Sequence, residues 1–319
     1  MTVLVTGGAG YIGSVVVDAL IERGESVLVV DNLTRSVQPE FSSGGSFETA
    51  DICDTGHIGQ LIDDHGVDAC IHLAGLISVA ESVHDPGTYV ENNIVGSARL
   101  FEALADHHVR QVVFSSSAAV YGNASSVPIS EDAPLQPTSP YGWTKMVVEQ
   151  MLAAYDSANR LRSVSLRYFN AAGATSRRME RHEPETHLVP LAIRAATNPG
   201  APLKLFGTDY PTPDGTAVRD YIHVSDLAHA HLLALGYLRD GGDTTVLNLG
   251  AGRGHSVLEV IAAVEHELGR AVPYEAGPRR AGDPAELVAS PQRARRVLDW
   301  EPSQSTLEEI VASAAAHAD

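Results

Sequence analysis

Lysine is almost missing from this chain. Lys145 and Lys204 are its two lysines, and the other 20 of its 22 basic residues are arginines. Cysteine is equally scarce. Cys53 and Cys70 have no CxxC spacing, so they build no disulfide framework, and both read as small core residues of a protein kept in a reducing cytoplasm. No apolar run approaches the roughly 20 residues that a membrane span needs. The first residues enter a strand pattern directly, without the basic segment and apolar block of a signal peptide. Positive charge is in deficit overall: the net charge of −18 argues against nucleic acid or an anionic membrane as partner. It leaves room for an anionic small molecule bound by locally placed arginines, because screening confines exposed charges to about 8 Å at physiological salt. The 14 histidines show neither HExxH nor Cys/His ligand spacing. His107-His108 and His229/His231 read as solvated helix positions, and no metal is expected.

What is present describes a globular enzyme. An apolar fraction of 44% and a charged fraction of 19% over 319 residues suit two domains. In the first half, short apolar runs at 3–6, 26–30, 69–73, 111–115 and 163–167 read as buried parallel strands. They alternate with helix-length amphipathic stretches at 11–23, 58–65, 88–105 and 141–159. Such alternation means βαβ units and an α/β fold with a doubly wound parallel, Rossmann-type sheet. After about residue 172 the texture becomes irregular and rich in proline and glycine. We therefore expect a dinucleotide-binding domain over 1–172 and a smaller mixed α/β substrate-binding domain over 173–319. A later strand (246–249) and helix (225–238) are candidates to return to the first sheet.

The sequence Thr6-Gly7-Gly8-Ala9-Gly10-Tyr11-Ile12-Gly13 follows the first strand and opens the first helix. It satisfies both G-x-G-x-x-G and G-x-x-G-x-x-G. Glycines there allow a tight turn and close approach of backbone to a pyrophosphate, and the helix N-terminus supplies oriented N–H groups. Asp31 ends the second strand, 18 residues past Gly13, where a carboxylate accepts hydrogen bonds from a ribose diol and repels a 2′-phosphate. The expected cofactor is NAD rather than NADP, with Arg35 assigned to the following loop. Asn32, Asp51 and Ile52, and the small strand-end residues Leu73, Ala74 and Gly75, are further cofactor candidates.

Tyr141 and Lys145 lie four residues apart, which on a helix stacks them on one face. An ammonium beside a phenol favours the phenolate, so Lys145 is expected to draw the Tyr141 pKa down from about 10. Ser115-Ser116-Ser117 closes the fifth strand at the carboxyl edge where doubly wound sheets bind ligands. A hydroxyl (Ser117), a phenol (Tyr141) and an ammonium (Lys145) converging there can take a proton from an alcohol while a nicotinamide takes the hydride.

These motifs, together with His72-Leu73-Ala74-Gly75-Leu76, Val120-Tyr121-Gly122, Ser139-Pro140-Tyr141-Gly142, Leu166-Arg167-Tyr168-Phe169-Asn170, Asp209-Tyr210-Pro211-Thr212, Val218-Arg219-Asp220-Tyr221-Ile222-His223 and Pro278-Arg279-Arg280, resemble the extended short-chain dehydrogenase/reductase family nearly end to end. The resemblance implies an NAD-dependent nucleotide-sugar 4-epimerase acting on UDP-glucose and UDP-galactose through a 4-keto sugar. It implies Ser117, Tyr141 and Lys145 as the catalytic set, all three also contacting substrate or cofactor. It adds Asn92, Ser115 and Phe169 to the cofactor contacts of Gly7, Gly10, Tyr11, Ile12 and Gly13. It assigns Asn170, Leu188, Leu205, Phe206, Arg219, Arg280 and Asp283 to the UDP-sugar, with His187 standing where members commonly carry Asn. It further implies a homodimer through an outer face of helices 88–105 and 141–159. Ile77, Ala119 and Leu287 depart from, or vary within, the family pattern near the cofactor and the sugar.

Alternatives remain open at this point. A 4-epimerase of another UDP-sugar (N-acetylhexosamine, pentose or uronic acid) fits the same residues. A dehydratase or decarboxylase needs a carboxylate pair beside the strand-end serine, where this chain has Ala118, Ala119 and Val120. A non-enzymatic NAD-binding regulator has no use for Ser117, Tyr141 and Lys145 together.

Overall fold

Strand β1 (Thr2–Thr6) is buried on both faces, Val3, Leu4 and Val5 being 1% exposed or less, which is why its sequence is continuously apolar rather than alternating. The computed structural model describes residues 1–37, 40–41, 44–180, 184–198, 200–280 and 282–317. After β1 come α1 (Tyr11–Glu22), β2 (Ser26–Asp31), β3 (Gly45–Thr49), α2 (Thr55–His65), β4 (Val67–His72), α3 (Val79–His84) and α4 (Pro86–Tyr89). A π-helical segment, Val90–Val95, leads into α5 (Gly96–Asp106) and β5 (Gln111–Ser117), and a 3₁₀ turn, Ala118–Val120, precedes α6 (Pro140–Ser157) and β6 (Arg162–Tyr168). The chain continues through β7 (Asn170–Ala172), α7 (Leu188–Thr197), β8 (Leu203–Phe206), β9 (Val218–His223), α8 (Val224–Arg239), β10 (Thr245–Leu249) and β11 (Gly254–Ser256). It ends with α9 (Val257–Leu268), β12 (Tyr274–Gly277), β13 (Glu286–Leu287), α10 (Gln292–Leu298) and α11 (Leu307–Ala315).

A seven-stranded sheet runs in the order β10-β6-β5-β4-β1-β2-β3, the doubly wound order with its reversal between β1 and β4. The β1·β2, β1·β4, β2·β3 and β4·β5 pairs are parallel. Ligands of such sheets bind beyond the carboxyl ends of the strands at the reversal. Strand β10 joins this sheet although it lies far along the chain.

The chain forms two compact units. The first comprises Met1–Gly122, Pro134–Arg167 and Ala228–Leu247. Its core packs Ile58, Leu61, Leu100, Phe101, Leu104, Val148 and Leu152 of α2, α5 and α6 with Leu4, Leu28, Val112 and Phe114 of the sheet. Each such buried side chain contributes about 1.5–3 kcal/mol. The second unit comprises Asn123–Ala133, Tyr168–Leu227 and Asn248–Asp319. There β9 pairs with β7, β11 and β13, β8 pairs in parallel with β12, and Val189, Ile193, Leu205, Tyr221, Val260, Val264 and Ile310 form the core. Residues 123–133 join this unit through Ile129, whose N–H donates to the Val288 carbonyl at 2.8 Å and whose carbonyl accepts from Ser290 N–H at 2.8 Å. The buried Asp220 carboxylate accepts N–H bonds from Ala251 (2.8 Å), Gly252 (2.9 Å) and Ala289 (3.0 Å) and so ties two separate chain segments to β9.

Three expectations need correction. The single helix over 88–105 is interrupted by the π segment, because the Asn93 side chain turns inward to bind backbone instead of letting the regular helix continue. Cys53 is exposed, and burial of its sulfur with the neighbouring Asp51 pushes its thiol up to about 11, far from a reactive thiolate. His231 is not solvated but fully buried in α8.

Candidate functional site

The glycine loop between β1 and α1 is built for close backbone approach. Gly7 has φ +73°, and a Cβ there would lie 2.5 Å from the Ala74 nitrogen at the end of β4. At Gly13, a Cβ would lie 2.2 Å from the Gly7 carbonyl oxygen, so the first turn of α1 folds back onto the loop. Asp31 completes this cradle. Its carboxylate accepts from Ala9 N–H at 3.1 Å, from Leu33 N–H at 2.9 Å and from the Ser36 hydroxyl at 2.9 Å. Ser36 carries no sequence signal for this role. Arg35 pairs with Glu81 on α3, so its guanidinium is drawn away to an exposed ion pair. Asn32 caps its own turn by accepting from Thr34, and Asp51 does the same for Cys53 N–H at 2.8 Å. Ile52 is 8% exposed and belongs to the core of the first unit.

The strand-edge cluster lies in the same unit. Ser139 caps α6 by accepting from Gly142 N–H at 3.1 Å, Pro140 occupies the first turn, and Gly142 abuts the Ala119 carbonyl, where a Cβ would come within 2.4 Å. That packing holds the start of α6 against the 3₁₀ turn whose N-cap is Ser117. The Ser117 hydroxyl hydrogen-bonds the Tyr141 phenol. One turn along α6, the Lys145 ammonium, 3% exposed, donates to the Ser115 carbonyl at 2.9 Å and sits 5.0 Å from the Phe114 ring centroid. The three residues singled out from the sequence are therefore brought together.

Their ionisation differs from expectation. Burial raises the Tyr141 phenol above its ordinary value, and the Ser117 hydrogen bond pulls it only partly back. Lys145 is 5.9 Å from the Tyr141 ring centroid with its ammonium turned to Ser115, which weakens its hold on the phenol. Lys145 itself is lowered to about 8 by burial, against the opposing charge of Glu149. Buried His72, between Thr6 (2.7 Å) and Ser97 (2.9 Å), falls to about 3 through burial and the Lys145 charge, and stays neutral.

Asn92 lies half-buried on the π segment, and its neighbour Asn93 does the structural work. Asn93 accepts from Leu76 N–H at 2.8 Å and donates to the Leu76 carbonyl at 3.0 Å and to Thr144 at 3.1 Å. Thr144 in turn donates to the Tyr141 carbonyl at 2.7 Å. The network fixes the loop after β4 to the first turns of α6, where Tyr141 lies. An Asn-Asn pair within an expected helix was the available signal.

Residues assigned to the sugar nucleotide fall in the second unit. Asn170 opens β7 opposite Tyr221 of β9, two residues beyond Arg219. Arg219 donates to the Val218 carbonyl at 2.7 Å and pairs with Asp283. Phe206 ends β8 opposite Gly277 of β12, and the Arg280 guanidinium stacks 4.1 Å from its ring centroid. Leu205 is 1% exposed and its side chain belongs to the core of the second unit. Leu188 starts α7 and packs on the same core, and Phe169 is buried as well. His187 caps α7, with Nδ1 2.9 Å from Glu185 and 3.7 Å from Glu180. Burial opposes its charge, but these carboxylates outweigh it and raise the imidazole above its usual value. Glu180, Glu185 and His187 have ligand-type atoms within 4.8 Å of one another, a spacing the ion pairing accounts for.

Residues 3–250 match the NAD dependent epimerase/dehydratase family. The chain belongs to that family. Within the family it is similar to the UDP-glucose 4-epimerase of Halalkalibacterium halodurans, 45% identical over 313 residues that span 98% of this chain and 93% of that protein. The crystal structure of UDP-glucose 4-epimerase from Brucella ovis in complex with NAD superposes with a TM-score of 0.96 at 43% identity, covering 99% of this chain and 98% of that one. The UDP-glucose-4-epimerase of Stenotrophomonas maltophila, with bound NAD and formylated UDP-arabinopyranose, superposes with a TM-score of 0.94 at 42% identity, covering 100% and 98%. The doubly wound sheet and the glycine cradle are thus those of an NAD dependent epimerase/dehydratase.

Proposed function

We propose that the protein is a nucleotide-sugar 4-epimerase that uses NAD to interconvert UDP-glucose and UDP-galactose through a 4-keto sugar. The observation that carries this reading is the Ser117–Tyr141–Lys145 cluster at the edge of a doubly wound sheet, in a chain 45% identical over 98% of its length to a UDP-glucose 4-epimerase. The residues fit the dinucleotide: the Gly7–Gly13 cradle leaves no room for side chains, and Asp31 stands ready for a ribose diol. When bound, NAD+ supplies a hydride acceptor for C4 and a positive ring charge that favours the Tyr141 phenolate.

Tyr141 takes the proton of the 4-hydroxyl and returns it when the opposite face is reduced. Ser117 hydrogen-bonds the Tyr141 oxygen and orients the reacting hydroxyl. Lys145, with its ammonium anchored on Ser115, supplies the charge that holds a phenolate once Tyr141 has lost its proton. In the second unit, Arg219 and Arg280 answer the demand for cations on a chain of net charge −18 and carry the pyrophosphate. Phe206 and Asn170 are the further sugar-nucleotide contacts.

Support for a homodimer comes from α6, where Trp143 is 42% exposed and Val147, one turn on, is partly exposed. Among the described residues no helix is long and apolar enough to cross a membrane, and the two unpaired cysteines suit a reducing cytoplasm.

Incubation with UDP-galactose tests the reading. We expect UDP-glucose to form with NAD neither added nor consumed. NAD binding without conversion would leave a cofactor-binding regulator. Running UDP-N-acetylgalactosamine, UDP-arabinose and UDP-galacturonate in parallel sets the sugar range.

A further inference from the structure

Behind the cluster lies a buried ion pair that the reaction, as described above, does not use. Glu149 on α6 and Arg167 on β6 are 8% and 4% exposed, and meet in a two-point pair: Arg167 Nε to Glu149 Oε1 at 2.9 Å and Nη2 to Oε2 at 2.5 Å. Fork-to-fork pairing of this kind fixes position as well as charge. Both ends reach the catalytic turn. Ser116, the residue before Ser117, donates its hydroxyl to Glu149 Oε1. Arg167 Nη1 donates to the Tyr121 hydroxyl at 2.7 Å, and its guanidinium lies 4.9 Å from the Tyr121 ring centroid. Tyr121 is the C-cap of the 3₁₀ turn that Ser117 opens, so the pair grips that turn from both sides. Along α6, Tyr141, Lys145 and Glu149 follow one another at four-residue steps on one face.

We infer that Glu149, locked by Arg167, is a positioning residue for the catalytic cluster: it sets the strand end that presents Ser117 and supplies the negative charge that keeps Lys145 an ammonium. The charged and titratable groups that face Lys145 are few. On α6 they are Tyr141, whose phenol burial keeps protonated until the charge of the bound cofactor favours the phenolate, and Glu149. From β4 comes His72, which burial holds neutral, and from β5 the uncharged Phe114 ring and Ser115 carbonyl. Arg167 acts through Glu149. Glu149 is thus the source of stabilisation for a buried cation, and it opposes the burial that lowers Lys145 to about 8. A carboxylate one turn below the ammonium leaves the phenol side of Lys145 clear.

This inference rests on the reading of Tyr141 and Lys145 as the catalytic pair, and the scarcity of lysine allows it to be tested apart from activity. With lysine labelled at ¹³Cε, the protein gives two side-chain signals, from Lys145 and from exposed Lys204. In Glu149→Gln, which keeps the shape and loses the charge, we expect the Lys145 titration midpoint to fall by on the order of one pH unit, with Lys204 unmoved. The break in the kcat–pH profile that belongs to Lys145 moves down with it, while KM for UDP-galactose stays constant. Because Glu149→Gln leaves Arg167 buried without a counter-charge, the double variant Glu149→Gln/Arg167→Met removes both charges and is read the same way. A Lys145 midpoint unchanged in the folded variant, with a merely lower melting temperature, overturns the inference. A shifted midpoint in a protein that never epimerises a UDP-sugar would overturn the proposed function instead.

Discussion

The Lys145 ammonium donates to the Ser115 carbonyl at 2.9 Å, so α6, which carries Tyr141, and β5, which carries Ser117, are pinned together. That one bond gives Lys145 a structural and an electrostatic part in the same site. It also explains why an arginine-rich chain has a lysine here: a compact ammonium fits a pocket 3% exposed, and its charge responds to its surroundings as a guanidinium's does not.

The pH dependence of turnover follows from two opposed shifts. Tyr141 is raised by burial and must lose its proton to act, so activity climbs with pH on the acid side. Lys145 is lowered to about 8 and must keep its proton, so above that value its growing loss of charge cancels the gain of phenolate. A kcat/KM profile that climbs to about 8, levels off and falls only above the raised Tyr141 value is the expected outcome. Tyr141→Phe should remove at least about a hundredfold of the rate while NAD remains bound. Near-normal turnover in that variant would take Tyr141 out of its role.

Asp31 accepts from the backbone of the glycine loop, and in the proposed site its charge would exclude a 2′-phosphate. Asp31→Asn is expected to weaken NAD binding by roughly tenfold to a hundredfold, the worth of a charge-assisted hydrogen bond, and to bring NADP closer to NAD. Calorimetric titration of both dinucleotides reads the ratio. An unchanged preference would place discrimination elsewhere.

Arg219 is held by Asp283, so in the proposed site the pyrophosphate would meet an arginine already oriented. Arg219→Ala should weaken UDP binding by roughly tenfold to a hundredfold and leave NAD binding intact. The comparison is made by displacement of a fluorescent UDP analogue. Equal loss of both ligands would indicate a collapsed fold rather than a missing contact.

His187 keeps its charge to higher pH than an ordinary imidazole because Glu185 and Glu180 face it. A raised folded-state pKa means that the interaction is complete below about 6.5 and fades as pH climbs through the raised value. The KM for a UDP-sugar should therefore rise above neutral pH. His187→Asn should flatten that rise. A KM that is pH-independent in the unaltered protein would remove His187 from ligand binding.

The glycine spacing, the position of Asp31 and the Tyr141–Lys145 step were legible because each depends on local geometry: a turn, a strand end, one turn of helix. The π segment at Val90–Val95 was not, since the Asn92-Asn93 pair inside it does not by itself break a helix. Its cause is Asn93, which finds its partners at Leu76 and Thr144, 17 and 51 residues away in sequence. The excursion of residues 123–133 into the second unit is equally a matter of distant pairing, between Ile129 and Ala289.

By itself, then, the sequence determined the strand–helix alternation of the first unit, the dinucleotide cradle and the Ser117–Tyr141–Lys145 grouping proposed as catalytic, because periodicity and short-range spacing encode them. Tertiary structure decided the charges. Burial, which no local pattern reveals, raises Tyr141, lowers Lys145 and neutralises His72. The pairing of Glu149 with Arg167 across 18 residues of chain placed a carboxylate beneath the lysine.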